Sequence, residues 1–152
     1  MNVVLRPVQP GDYEHVIPRL DVWWGGRKMT ALLPRLFFEQ FSPTTVIATD
    51  AESGRIVGFV CGFISQTDPD LAYIHFVGVD PECRAEGVGR TLYEWLFGRA
   101  VELGCERVKC VTSPQNSGSR AFHASMGFTE HWVEDYDGQG EPRIVFNRAL
   151  DR

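Results

Sequence analysis

Apolar residues in this 152-residue chain fall into short runs of strand-like or helix-like spacing, separated by polar, proline-rich and glycine-rich breaks. VVLRPV (3–8) predicts a first strand, closed by the turn signal PGD. Asp12 is placed to cap a helix running to about Trp24, with Pro18 as a kink or break within it. Paired glycines make WWGGRKM (23–29) a loop, and the apolar stripe of ALLPRLFFEQF (31–41) predicts a short second helix. TTVIATDA (44–51) and RIVGFVCGFISQ (55–66) flank the tight-turn sequence ESG and predict an antiparallel hairpin. LAYIHFVGV (71–79) is the third apolar strand of this group. In GVGRTLYEWLFGRAVELG (87–104), apolar residues at 88, 92, 96, 100 and 103 mark a helical stripe ending at Gly104.

RVKCVTSP (107–114) predicts the next strand, and SGSRAFHASM (117–126) a shorter helix capped by Asn116 or Ser117. Gly127 fits the position just past that helix, with Phe128 as the hydrophobic residue beyond it. HWVEDYD (131–137) and PRIVFNRAL (142–150) close the chain as a hairpin around GQGE. The order is βααβββαβαββ, without repeats or linkers. It predicts one domain over 1–152, an α/β or α+β layer structure.

Composition narrows the function. Hydrophobic residues make up 43% and charged residues 23%, as in soluble globular proteins. A formal charge of -5 and a pI near 5.3 argue against a nucleic-acid surface. They suit a cationic or amine substrate, although mild acidity more often serves solubility. The opening MNVVLRPVQPGDYE has no signal-peptide pattern, and no apolar run approaches the roughly 20 residues that span a bilayer. A cytoplasmic protein without membrane contact is the expectation. Cys61, Cys83, Cys105 and Cys110 form no CxxC pair and predict reduced, mostly buried thiols. Neither they nor the histidines at 15, 75, 123 and 131 have ligand spacing, so no metal is expected.

The segment RAEGVG (84–89) stands where a strand-like run becomes a helix-like one. Glycine in a helix costs about 1 kcal/mol relative to alanine. At a strand-to-helix turn it instead permits unusual backbone angles and lets a ligand approach the unpaired N–H groups of the first turn, which attract phosphate. A Walker loop needs GxxxxGK[ST], which does not occur, and Leu92 occupies the third-glycine position of a GxGxxG fingerprint. RxxGxG remains, and alone it is equally the mark of tight packing at a bend.

A second motif changes the weight of the first. NSGSRAFHASMGF holds Asn116, Ala121, Phe122, Gly127 and Phe128 in register with the second signature of the GNAT superfamily of N-acetyltransferases. The chain resembles that family across nearly its whole length. The resemblance implies a mixed, mostly antiparallel central sheet flanked by helices, and acetyl-CoA as co-substrate without a metal. It implies that Arg84, Gly87, Val88 and Gly89 bind the pyrophosphate, with Arg90 either helping or remaining a solvated surface residue. It places a main-chain N–H of the stretch Val77 to Val79 on the acetyl carbonyl, at an irregularity that Gly78 would accommodate. Asn116 then bonds the pantetheine arm, caps its own helix, or does both, and Phe122 lies along the cofactor.

The chemistry sets further needs. An alkylamine with pKa near 10.4 is mostly protonated at neutral pH, and deprotonating it costs about 4.6 kcal/mol. His75, in YIHFVGV, is the candidate to take that proton through water; a histidine hydrogen-bonded within the sheet is the alternative. His123 stands where many family members have a tyrosine that donates to the CoA sulfur. It either replaces that donor or is simply a polar helix residue. His15 and His131 have no such context. Trp23, Trp24 and Arg27 lie in the segment that borders the acceptor site in this family. The tryptophans would stack an apolar or cationic substrate there, or else pack the core. The expected activity is acetylation of a primary amine, of a small molecule first, by direct attack in a ternary complex; Cys83 has no paired base for an acyl-enzyme route. A CoA-binding sensor without turnover and a protein lysine or N-terminal acetyltransferase are the rival readings. A homodimer is compatible with all three.

Overall fold

The computed structural model describes residues 1–151. The elements are β1 (Val3–Pro7), α1 (Asp12–Trp23), α2 (Leu36–Gln40), β2 (Thr45–Asp50), β3 (Ile56–Ile64), β4 (Leu71–Val79), α3 (Val88–Glu102), β5 (Arg107–Thr112), α4 (Ser117–Ser125), β6 (Thr129–Val133) and β7 (Arg143–Ala149). Short 3-10 turns at Thr30–Leu32, Ser42–Thr44 and Pro81–Glu86 add to these. Among the described residues the strands form a seven-stranded sheet in the order β1-β2-β3-β4-β5-β7-β6. The pairs β1–β2, β2–β3, β5–β7 and β6–β7 are antiparallel, whereas β4 and β5 run parallel over Leu71–Tyr73 and Arg107–Lys109. The expected mixed, mostly antiparallel sheet with helices is therefore present.

The described residues pack as two compact units, residues 1–63 with 74–99 and residues 64–73 with 100–151. In the first, α1 buries Val16, Leu20 and Trp23, a stripe at helical spacing, against Ile47, Phe59 and Phe76 of the strands and Leu33 and Phe38 of the following segment. Burying such a side chain stabilises by roughly 1.5–3 kcal/mol. Two glycines set how closely α3 lies on the sheet in this unit. A Cβ on Gly58 would come within 2.9 Å of the Gly78 carbonyl and 3.0 Å of Val88, and one on Gly78 would strike the Phe59 ring at 2.5 Å. Their bare backbones let Val88, the first residue of α3, sit fully buried on β3.

The second unit buries Val108 and Cys110 of β5, Ile144 and Phe146 of β7, and Met126, and in it the rings of His123, Phe128 and Phe146 meet. Cys61 and Cys83 are buried in the first unit, Cys105 and Cys110 in the second, and all four are free thiols. No helix of the described residues is long and apolar enough to cross a membrane.

Several local expectations are corrected. Asp12 does not cap α1. It is the first helical residue, and its carboxylate takes both arms of Arg6 at 2.8 and 2.9 Å and the Gln9 N–H at 2.7 Å. The helix runs through Pro18 unbroken. Pro18 stands on the exposed side, where the carbonyl it deprives of a partner can meet water while the buried stripe holds the helix. The predicted helix over 31–41 divides around Pro34 into a 3-10 turn and the five-residue α2. β6 comes two residues early, at 129–133, and residues 135–140 form the turn, with Asp135, Gly138 and Gly140 at positive φ.

Candidate active site

Asp80 opens the approach to the glycine turn. Its carboxylate accepts from the Glu82 N–H at 3.0 Å and pairs with Arg55 at 2.8 Å, which fixes the 3-10 turn Pro81–Glu86. Gly87 then turns left-handed at φ 72, with open space where a side chain would project. Only glycine takes that angle without strain. The backbone bond from Thr91 N–H reaches Gly87 O at 3.0 Å, so the N–H groups of Val88, Gly89 and Arg90 lie ahead of the helix's own ladder. They form a row of donors at the positive end of a 15-residue helix. Arg90 is exposed, with only a 3.9 Å pairing to Glu94. The Arg84 guanidinium donates to the Trp23 carbonyl at 2.5 Å, a link the sequence did not suggest.

His75 lies half-buried on β4, on the same alternation as Val77 and Val79. Its Nε2 is 2.6 Å from the Leu32 carbonyl, and its ring lies flat on Phe37, with centroids 4.0 Å apart and planes at 3°. A carbonyl only accepts, so Nε2 carries the proton and the neutral ring presents Nδ1 as a base. Burial holds its pKa below that of a free imidazole, with the Leu32 contact opposing, so the base form is present at neutral pH.

Trp23 is 3% exposed and belongs to the core. Trp24 is half-buried, with its ring 5.2 Å from Phe76, and Arg27 is exposed in the loop that follows. Leu32 and Phe37, which hold His75, were missed from the sequence. They lie 43 and 38 positions from it, and nothing local marks the pairing.

In the second unit Asn116 caps α4, accepting from the Ser119 N–H at 3.1 Å. At the other end Gly127, at φ 86, and Phe128 donate to the carbonyls of Ala124 and His123, the hydrogen-bond pair of a Schellman motif. Phe122 is half-buried beside His123. His123 is 5% exposed and stacks on Phe146 at 4.2 Å and 9°. Its Nδ1 meets the Ser119 carbonyl at 2.7 Å and must be the protonated nitrogen, so the neutral ring has no proton on Nε2. Burial depresses its pKa, against the Ser119 contact and the charge of Glu130. His15 and His131 are exposed.

A strand-to-helix turn with a left-handed glycine, and N–H groups ahead of the helix ladder, is an arrangement that attracts anions at a helix start. A family model described as the acetyltransferase (GNAT) family matches residues 13–128, and the chain belongs to that family. It is similar to an L-2,4-diaminobutyric acid acetyltransferase of Halalkalibacterium halodurans, 32% identical over 112 residues that cover 74% of this chain and 55% of that protein. It is also similar to a D-amino-acid N-acetyltransferase of Saccharomyces cerevisiae, 27% identical over 138 residues, covering 84% and 85% of the two chains. Among solved structures, an acetyltransferase of Salmonella typhimurium with its cofactor acetyl-CoA has a TM-score of 0.74 at 19% identity, covering 100% of this chain and 96% of that one. The chain spans about half the length of the first diaminobutyric acid acetyltransferases it matches.

Proposed function

We propose that this chain transfers the acetyl group of acetyl-CoA to a primary amine of a small molecule. The observation that carries this reading is the pair of N–H groups of Gly89 and Arg90, ahead of the α3 ladder and behind the left-handed Gly87. The positive end of a helix and main-chain donors suit a pyrophosphate. Family membership supports acetyl-CoA as donor, and the amino-acid substrates in the names of the two relatives support a small amine acceptor.

Acetyl-CoA supplies an activated thioester carbonyl. The main chain between Val77 and Val79 takes its oxygen and stabilises the charge that develops there. His75 removes the ammonium proton through a water at Nδ1. The amine lone pair then attacks the carbonyl carbon, the C–N bond forms and the C–S bond breaks. The departing thiolate takes its proton from water. Arg90 adds a second charge for the phosphates, and Trp24 and Arg27 border the acceptor.

Gly89→Glu places bulk and negative charge at the N–H row. Acetyl-CoA binding measured by calorimetry is expected to collapse while the circular dichroism spectrum is kept; undiminished binding would overturn the phosphate site. A panel assay for CoA thiol release tests turnover. Binding without release for any amine would make the protein a sensor.

A further inference from the structure

We propose that Asp21 is a positioning residue for His75: its carboxylate fixes the turn whose carbonyl decides which imidazole nitrogen is free. The proposal rests on the reading of His75 as the base of an acetyltransferase.

Phe37 sets the plane of the His75 ring, with centroids 4.0 Å apart and planes at 3°. Stacking does not by itself orient the ring, since a half-turn about the Cβ–Cγ bond keeps the plane and exchanges the two edges. The Leu32 carbonyl, 2.6 Å from Nε2, removes that freedom. The hydrogen bond at one ring nitrogen settles the role of the other. The placement of the Leu32 carbonyl therefore governs whether Nδ1 stands free as a base.

Thr30, Ala31 and Leu32 form the 3-10 turn and are all exposed, so the turn is held from its ends. At the far end Leu33 is fully buried, and its carbonyl accepts from the Tyr13 hydroxyl at 2.6 Å. At the near end stands Asp21 of α1. One of its carboxylate oxygens accepts the N–H groups of Met29 at 2.7 Å and Thr30 at 3.1 Å, and bonds to a charged acceptor are the strong ones. Its main-chain carbonyl takes the Gly26 N–H at 2.8 Å, so the same residue also closes the loop that leads to the turn. Orientation then passes along the turn. The Thr30 carbonyl accepts the Leu33 N–H at 3.2 Å. The peptide between Leu32 and Leu33 is trans and planar, with its N–H and C=O opposed. Holding the Leu33 N–H on Thr30 thus aims the Leu32 carbonyl the other way, onto Nε2. All these residues belong to one compact unit.

Imidazole nitrogen shifts, read by NMR on the full chain without ligand, report the tautomer; pH 8 lies above the ordinary 6.5 of a histidine and keeps the ring neutral. Wild type is expected to show His75 as a single Nε2–H form. In Asp21→Ala its two nitrogen shifts are expected to draw together as the tautomers mix. Asp21→Asn, which keeps an oxygen at the same place, is expected to stay like wild type. Thiol release from acetyl-CoA reads the consequence, with 2,4-diaminobutyrate, the amine in one relative's name, first among the amines of the panel. Asp21→Ala should lower kcat/KM for the amine about fivefold or more, the population effect of one lost hydrogen bond, and leave the KM for acetyl-CoA unchanged. Asp21→Ser, whose shorter side chain leaves the two N–H groups to water, repeats both measurements should the alanine variant not fold. A variant of either kind that keeps the wild-type tautomer, or the wild-type kcat/KM, overturns the proposal. Mixed tautomers in the variant, with no thiol release by wild type for any amine, overturn the acetyltransferase reading and leave the hold of Asp21 on His75 standing.

Discussion

At His75 the proton sits on Nε2 and at His123 on Nδ1, because in each ring the nitrogen facing a main-chain carbonyl must be the donor. The two rings consequently differ in use. His75 offers Nδ1 from a half-buried place, whereas His123 is packed between α4 and Phe146. His123→Phe keeps the stacking and removes the Nδ1 contacts with Ser119, each worth about 1 kcal/mol. It is expected to retain kcat within about tenfold between pH 7 and 8, whereas loss of an obligatory general acid would cost roughly 10²- to 10⁴-fold. His75→Ala is expected to lose kcat/KM for the amine on that larger scale. In the wild type the acidic limb of kcat/KM should have its midpoint below the ordinary 6.5, since burial lowers the pKa of His75 and the rate falls as the ring protonates. Steady-state kinetics from pH 5 to 8 read both effects. The two histidines could be singled out from the sequence, yet not their tautomers, because Leu32 is brought to His75 only by the fold, and Ser119 to His123 by the turn of α4.

Among the elements, α3 owes its placement to β3 and β4. The row of N–H groups at its start lies where it does because Val88 drops onto bare backbone at Gly58. Gly58→Ala places a methyl 2.9 Å from the Gly78 carbonyl and 3.0 Å from Val88, and main chain cannot yield as a flexible side chain does. A cost of roughly 1–3 kcal/mol in stability is expected, as for overpacking generally, with weaker acetyl-CoA binding and an unchanged amine KM. Thermal unfolding and calorimetry measure the two parts. A glycine inside the apolar run RIVGFV marks such a close approach, so this position was open to detection from sequence. Most strands and α3, α4 and their caps were legible because their patterns are local. The helix over 31–41 was not, since Pro34 cut a stripe whose spacing still looked helical. Asp12 was misassigned for the opposite reason. Its place before an apolar stripe suits a cap, but Arg6 from the neighbouring strand claims the carboxylate.

For the molecule as a whole, acid acts in two stages. His75 and His123 have folded pKa values below those of the unfolded chain, so unfolded molecules take up protons first as pH falls below about 6.5. Their contribution to stability is complete above that value and is lost below it. Burial raises the Asp12 carboxyl, but the hydrogen bonds from Arg6 and Gln9 outweigh it and hold the group below the usual range. Its contribution is complete above about pH 4 and lost beneath. Denaturant unfolding between pH 8 and 3 is expected to show both declines. His123→Phe should flatten part of the first, and Asp12→Asn should lower stability at neutral pH and weaken the second. The element order could be read from the sequence, but the insertion of β7 between β5 and β6 could not. Strand order depends on pairings between residues far apart in the chain, such as Arg107 with Ala149.

The four buried thiols make the native protein its own reporter. Alkylating reagents attack thiolate, and burial raises the pKa of Cys61, Cys83 and Cys105, so labelling waits on transient opening. Cys61 and Cys83 lie in one unit, Cys105 and Cys110 in the other. Pulsed labelling read by peptide mass spectrometry thus resolves whether the halves breathe together or in turn. If one cooperative event governs both, the four sites acquire label at rates set by a single opening constant. Addition of acetyl-CoA should then slow all four; protection confined to Cys61 and Cys83 would show that the half bearing the glycine turn opens on its own.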